Sequence, residues 1–233
     1  MNFNFSNIER YDSPFDHWVV SDFLDIEHAK KLSEEFFSYD DQAEDIVHYK
    51  GWIGEKKACN RWDRFPPLTY KTFSELLTPE FTRYVSAITN IDRLIPDIGM
   101  HGGGWHMCKT GGSLATHLDY SIHPKLKYQR KINLIIYLEE DYDPSWGGSL
   151  GLWSHNYEND KPLELVKTIP PLFNTAVLFD TSQNSWHGFP DPITCPEGKM
   201  RKSLAVYYVT DFVDEEADER YKALYVNEED MVK

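Results

Sequence analysis

Leu134-Ile135-Ile136-Tyr137-Leu138 is an uninterrupted apolar run, followed at once by Glu139-Glu140, and it reads as a β-strand. Runs of the same texture occupy 149–153, 176–179 and 203–209. Gly102-Gly103-Gly104, Gly111-Gly112, Asp143-Pro144 and Gly147-Gly148 supply turns between them. Several short strands separated by regular turns predict a sandwich or jelly roll over about 98–210.

Upstream the texture is helical, so the fold class expected is α+β, mainly β. Asp25 stands as an N-cap ahead of Ile26, Ala29, Leu32 and Phe36, which recur at helical spacing. Thr78-Pro79-Glu80 repeats the logic with a cap, a proline at the first helical position and an acid in the first turn. The helix that follows should place Phe81, Tyr84, Val85 and Ile88 on one face and end near Asn90. Such helices must cover their apolar faces, which predicts that they pack against the outside of one sheet. Roughly 39–67 receives no element. From Asp211 the chain is acidic, which reads as a helical or loosely packed tail. With no internal repeat or linker, 1–233 is expected to be a single domain. It comprises a helical part over about 1–97, the strand core over about 98–210 and the tail over 211–233.

Composition excludes several classes. At 41% hydrophobic and 15% aromatic the chain is globular rather than disordered. A formal net charge of -14 argues against nucleic acid and against an anionic membrane surface, since both need clustered Lys and Arg. The three cysteines, Cys59, Cys108 and Cys195, form no CxxC pair, so neither a disulfide framework nor a zinc ribbon is expected. The start, Met1-Asn2-Phe3-Asn4-Phe5, lacks the basic and apolar regions of a secretion signal. No apolar stretch approaches the ~18 residues of a membrane span. A soluble, cytoplasmic protein is the expectation.

Of nine histidines, His117 alone is followed two positions later by a carboxylate, Asp119. On an extended strand, residues two apart project from one face, so an imidazole and a carboxylate aim at one point. A third ligand from a distant strand would complete a set of two histidines and one carboxylate, which suits iron(II) and leaves positions open. His187 is the candidate. It follows the 176–179 strand, and Gly188 after it leaves room for a bulky metal complex. Each feature alone has a plainer explanation: a lone His-x-Asp arises often by chance, and an isolated histidine is more often a packed one. Fourteen residues beyond His187 comes Arg201-Lys202-Ser203. Arg201 and Ser203 share a face while Lys202 points away, and a guanidinium beside a hydroxyl suits a carboxylate. His106, Lys109, His123, Lys125, Lys127, Arg130 and Lys131 make these surroundings locally basic. A solvated rim is the favoured account of them, and attraction of an acidic substrate the other.

The ordered set His117-Leu118-Asp119, RKINLIIYL over 130–138, Gly147-Gly148-Ser149-Leu150, His187-Gly188 and Arg201-Lys202-Ser203 resembles the prolyl 4-hydroxylase-like branch of the iron(II)/2-oxoglutarate-dependent oxygenases. The resemblance covers about 104–210, and Phe23-Leu24-Asp25 with its helix is similar to that branch's N-terminal part. It implies a double-stranded β-helix with N-terminal helices on one sheet. It also implies iron(II) on His117, Asp119 and His187, with 2-oxoglutarate and dioxygen as cosubstrates. Arg201 and Ser203 would meet the distal carboxylate of 2-oxoglutarate, and Tyr137 falls where a tyrosine hydroxyl often reaches the same group. The activity implied is hydroxylation of an unactivated C–H bond, in a prolyl residue of a peptide or protein, or in a free metabolite such as a sugar or amino acid. A non-catalytic jelly-roll binding protein is the alternative from another class. The chain departs from the branch where many members carry a tyrosine before the His-x-Asp and this one shows Met107 and Cys108.

Overall fold

The apolar run at 203–209 belongs, in the computed structural model, to a strand of ten residues, Arg201–Thr210, at the centre of the larger of two sheets. The structure describes residues 3–40, 45–46, 52–215 and 217–226. Its first half runs β1 (Ile8–Tyr11), β2 (His17–Val20), α1 (Ile26–Glu34), β3 (Asp45–Ile46), β4 (Ile53–Cys59), α2 (Pro67–Leu76), α3 (Pro79–Thr89) and β5 (Ile95–Pro96). Then come β6 (Gly104–Leu114), β7 (His117–Leu118), β8 (Gln129–Tyr137), β9 (Leu150–Asn156) and β10 (Lys161–Ile169). The series ends with β11 (Ala176–Asp180), β12 (His187–Gly188), β13 (Arg201–Thr210) and β14 (Leu224–Tyr225).

The major sheet is ordered β1-β2-β11-β8-β13-β6-β4-β3, with β5 also paired to β13, and the minor sheet is β10-β9-β12-β7-β14. Among the described residues, paired strands run antiparallel. This is the jelly roll the resemblance implies. Period-two alternation sorts β8 and β13 into two cores. Leu134, Ile136, Val206 and Tyr208 face outward onto Leu32, Phe73, Leu76, Phe81 and Val85 of the helices. Tyr137, Leu150, Leu152, Val177 and Phe179 fill the space between the sheets. No helix among the described residues is long and apolar enough to cross a membrane.

The caps stand where the sequence places them. Asp25 accepts from the His28 N–H at 3.1 Å, and Thr78 from the Phe81 N–H at 3.2 Å. Asn90 ends α3 in the left-handed conformation at φ 56°. The buried stripe is narrower than the spacing suggests: Ile26, at the first position of α1, and Tyr84 are exposed.

Four further differences have physical causes. The first hundred residues are not simply helical, because β1, β2 and β4 extend the major sheet on both sides. Helix α2 lacks any side-chain cap of its own, since Pro66 occupies its N-cap. Its free N–H groups are met instead by the Glu35 carboxylate, which accepts from Leu68 at 3.0 Å and Thr69 at 2.7 Å. Gly111-Gly112 lies within β6 rather than in a turn, opposite the irregularity between Gly54 and Lys56 of β4. The described part of the tail forms no helix: residues 211–215 and 217–223 are irregular and mostly exposed, as a loose tail would be, but β14 then joins the minor sheet beside β7. Residues 41–44, 47–51, 216 and 227–233, which include parts of the unassigned 39–67 stretch and of the tail, lie outside the described residues.

Candidate active site

β7 and β12 are two residues each, and they meet at one register pair, His117 opposite His187. The rings lie 4.2 Å apart, centre to centre. Asp119 closes the group, with Oδ1 3.6 Å from His117 Nε2 and Oδ2 3.6 Å from His187 Nε2. One ligand atom from each of the three lies within 4.8 Å of the others. Each histidine donates from Nδ1 to the carbonyl two residues back, His117 to Ala115 at 2.9 Å and His187 to Ser185 at 2.8 Å. That assigns the hydrogen to Nδ1 and leaves the Nε2 lone pairs turned into the cluster.

The electrostatics favour ligation too. Burial, with His117 beside it, pushes the His187 pKa down to about 3, so the ring is neutral at pH 7. Burial alone would raise Asp119, yet Arg130, then His187 and His117, hold it well below the usual carboxylate range. Two imidazoles and a carboxylate, each with its ligand atom free to turn inward, fit iron(II) with open positions. Among the described residues no second such group exists, so His101, His106 and His123 build no other centre.

Gly188 acts differently from the expectation. A Cβ there would meet the Leu114 carbonyl oxygen at 2.8 Å and Thr116 Cα at 2.9 Å. The missing side chain admits the backbone that carries His117, not a metal complex.

Arg130 is the functional candidate that period-two reasoning misses. It is 1% exposed, with Nη2 3.0 Å from Asp119 Oδ2 and the guanidinium over the Tyr207 and Tyr120 rings. Counting alternate residues back from Tyr137 puts position 130 on the outer face. A register shift between the Tyr208–Ile132 and Val209–Arg130 pairs reverses that parity and turns Arg130 inward. The solvated-rim account also fails for His123 and Lys131, which are buried near Asp97 and Asp214 respectively.

Arg201 lies in the same cavity, of about 710 Å³, as the three metal-type ligands. It is 4% exposed and forms no ion pair among the described residues. Its Nε donates to the Gly148 carbonyl at 2.8 Å and Nη2 to the Tyr137 hydroxyl at 3.2 Å, while Nη1 is 3.5 Å from Ser203 Oγ. Tyr137 is fully buried behind the guanidinium rather than beside it in the cavity. Lys202 faces the helices, 3.0 Å from Glu139 and 3.4 Å from the Ser33 carbonyl. On β6, Cys108 and His106 stand opposite Arg201 and Ser203, so these two occupy the inner face, and Met107 the outer. The tail supplies a last participant: Tyr225 stacks on His117 at 4.9 Å and on Trp52 at 5.5 Å.

Residues 103–209 match the family described as the 2OG-Fe(II) oxygenase superfamily. A curated relative, prolyl 3-hydroxylase OGFOD1 of Xenopus laevis, is 25% identical over 208 residues; these are 88% of this chain but only 37% of the relative. Two solved structures share the fold. One is a prolyl hydroxylase in complex with a hypoxia inducible factor oxygen degradation domain peptide fragment, from Trichoplax adhaerens, with TM-score 0.59, 15% identity and 84% of each chain covered. The other is HygX of Streptomyces hygroscopicus with nickel, 2-oxoglutarate and hygromycin B bound, with TM-score 0.57, 12% identity and 85% and 84% covered. The match to the 2OG-Fe(II) oxygenase superfamily thus spans residues 103–209, and the chain is similar there to that family, on a jelly roll shared with prolyl hydroxylases of known structure.

Proposed function

We propose that the chain is an iron(II)- and 2-oxoglutarate-dependent dioxygenase that hydroxylates an unactivated C–H bond of a prolyl residue in a peptide or protein. One observation carries this: a buried guanidinium without a carboxylate partner shares a cavity with two histidines and a carboxylate. An uncompensated buried charge is costly, so such a guanidinium is expected where an anion binds. His117, Asp119 and His187 would hold iron, and Arg201 with Ser203 the distal carboxylate of 2-oxoglutarate. With iron(II) bound there, dioxygen would be the oxidant and 2-oxoglutarate the co-reductant, one oxygen atom ending in succinate with release of carbon dioxide and the other in the hydroxylated C–H bond.

The chain's own residues position and shelter. Gly148 and Tyr137 hold the Arg201 fork from one side, which leaves its remaining donors for the ligand. Arg130 orients Asp119. Ile135, Leu150 and Phe189 line the cavity with apolar surface that limits water. The relative's name and the Trichoplax structure support a prolyl substrate. Hydroxylation of a free metabolite is the second possibility, because HygX holds hygromycin B on the same fold. The complete set of candidate ligands speaks against a purely non-catalytic binding role.

The test is succinate formation from 2-oxoglutarate in air with added iron(II). Turnover should need the metal, stop with a chelator and vanish in Asp119→Ala. Failure of the metal-loaded chain either to bind or to consume 2-oxoglutarate would overturn the proposal.

A further inference from the structure

The chain carries a net charge of -14, yet its cavity is lined by Lys56, Arg130, Arg201 and Lys222 against one carboxylate, Asp119. Two of these cations have partners or a proposed use: Arg130 pairs with Asp119, and Arg201 is placed for 2-oxoglutarate. Lys56 is left over. On β4 it stands opposite Cys108, which stands in turn opposite Arg201, so the three form one row across neighbouring strands. Lys56 is partly buried, and its side chain makes no hydrogen bond or ion pair among the described residues. The fold had an acid at hand and turned it elsewhere, since Glu55 pairs with Lys109 at 3.4 Å. Burial lowers the Lys56 pKa, with Arg201 lowering it further. Lys222, exposed, lines the same cavity from the tail side.

Resting on the oxygenase proposal, we infer that the substrate presents a carboxylate to Lys56, either as a free acid or as an acidic side chain next to the reacting residue. A desolvated ammonium without a counter-charge is unfavourable, and a carboxylate that pairs with it recovers that cost on binding. Lys222 adds a longer-range attraction at the entrance.

Binding can be measured without turnover, by calorimetry on the chain loaded with zinc(II) and 2-oxoglutarate. One pair of probes is N-acetylproline against its amide. The other is a blocked Gly-Glu-Pro-Gly peptide against its Gln counterpart. In at least one pair the acid should bind about tenfold more tightly than the neutral form, as expected for a hydrogen bond between charged groups. The pair that responds identifies the source of the carboxylate. Lys56→Gln should erase the preference, and Lys56→Glu should reverse it toward a Lys-containing peptide. Equal binding of acid and neutral probes, or a preference that survives Lys56→Gln, overturns the inference. A Lys56→Gln defect in 2-oxoglutarate affinity instead would assign Lys56 to the cosubstrate, sinking the inference while the oxygenase proposal stands. A chain that binds no 2-oxoglutarate at all removes the oxygenase proposal itself.

Discussion

Arg201 and Lys202 are chain neighbours with opposite surroundings, one turned to the cavity and the other to Glu139 beneath the helices. Truncating one partner of a buried charged pair costs ~2–5 kcal/mol. Arg201→Ala should therefore raise the 2-oxoglutarate concentration for half-maximal turnover more than about tenfold, and Arg201→Lys should also be damaging because an ammonium lacks the two-pronged grip. Lys202→Ala should leave that concentration unchanged. A larger defect at Lys202 would refute the cosubstrate assignment. His187 yields a prediction about acid stability. Its folded pKa, about 3, lies below its ordinary value of 6.5, so the unfolded chain takes up the proton first as pH falls. The metal-free protein should thus lose stability progressively from about pH 6.5 towards pH 3. Urea midpoints at pH 7 and pH 5 would test this, and His187→Gln should show the smaller loss.

At the scale of elements, the cap on α2 comes from another helix. Glu35 lies just past the end of α1, and its carboxylate meets the first free N–H groups of α2. A lost N-cap costs ~0.5–2 kcal/mol, so Glu35→Ala should lower stability by about that amount and Glu35→Gln by less. A unilateral shift in the urea midpoint is the measurement, and no change in Glu35→Ala would show the bonds to be unimportant. Asn174 makes a second long-range latch. Its side chain donates to the Leu24 carbonyl at 2.8 Å and accepts from the Leu24 N–H at 2.9 Å, fastening the entrance of α1 to the strand core. Asn174→Ala would leave two buried backbone groups unmet and should cost more, roughly 1–3 kcal/mol for each group left unsatisfied.

For the whole molecule, the arrangement separates stability from chemistry. The larger apolar core lies between the helices and the outer face of the major sheet, while the cavity opens on its inner face. The tail belongs to the cavity side: β14 pairs with β7, and the Val226 N–H donates to the Thr116 carbonyl at 3.0 Å. Deleting residues from 220 onward should therefore leave cooperative unfolding in place while exposing His117. The expected signature is faster metal release to a chelator with a small change in melting temperature. Collapse of the fold on this deletion would show instead that the tail is structural.

What the sequence alone determined was whatever depends on short-range periodicity and local capping. The caps at Asp25 and Thr78, the alternation that turns Arg201 one way and Lys202 the other, and the shared face of His117 and Asp119 are all set within a few residues. The ordered motifs supplied the jelly roll and the choice of His187. Only the tertiary structure decided the rest, because those features depend on contacts between distant segments or on a local break in period. Helix α2 is capped from Glu35, a residue 33 positions before Leu68. β1 and β2 are strands because β11 accepts β2 at its edge. Arg130 reaches Asp119 because a register shift against β13 inverts the parity that alternation assigns it. Tyr225 reaches His117 because an acidic, apparently featureless tail returns as a strand beside β7. A period counted along one chain cannot register an insertion in the ladder or a partner from another segment, and the site is completed by both.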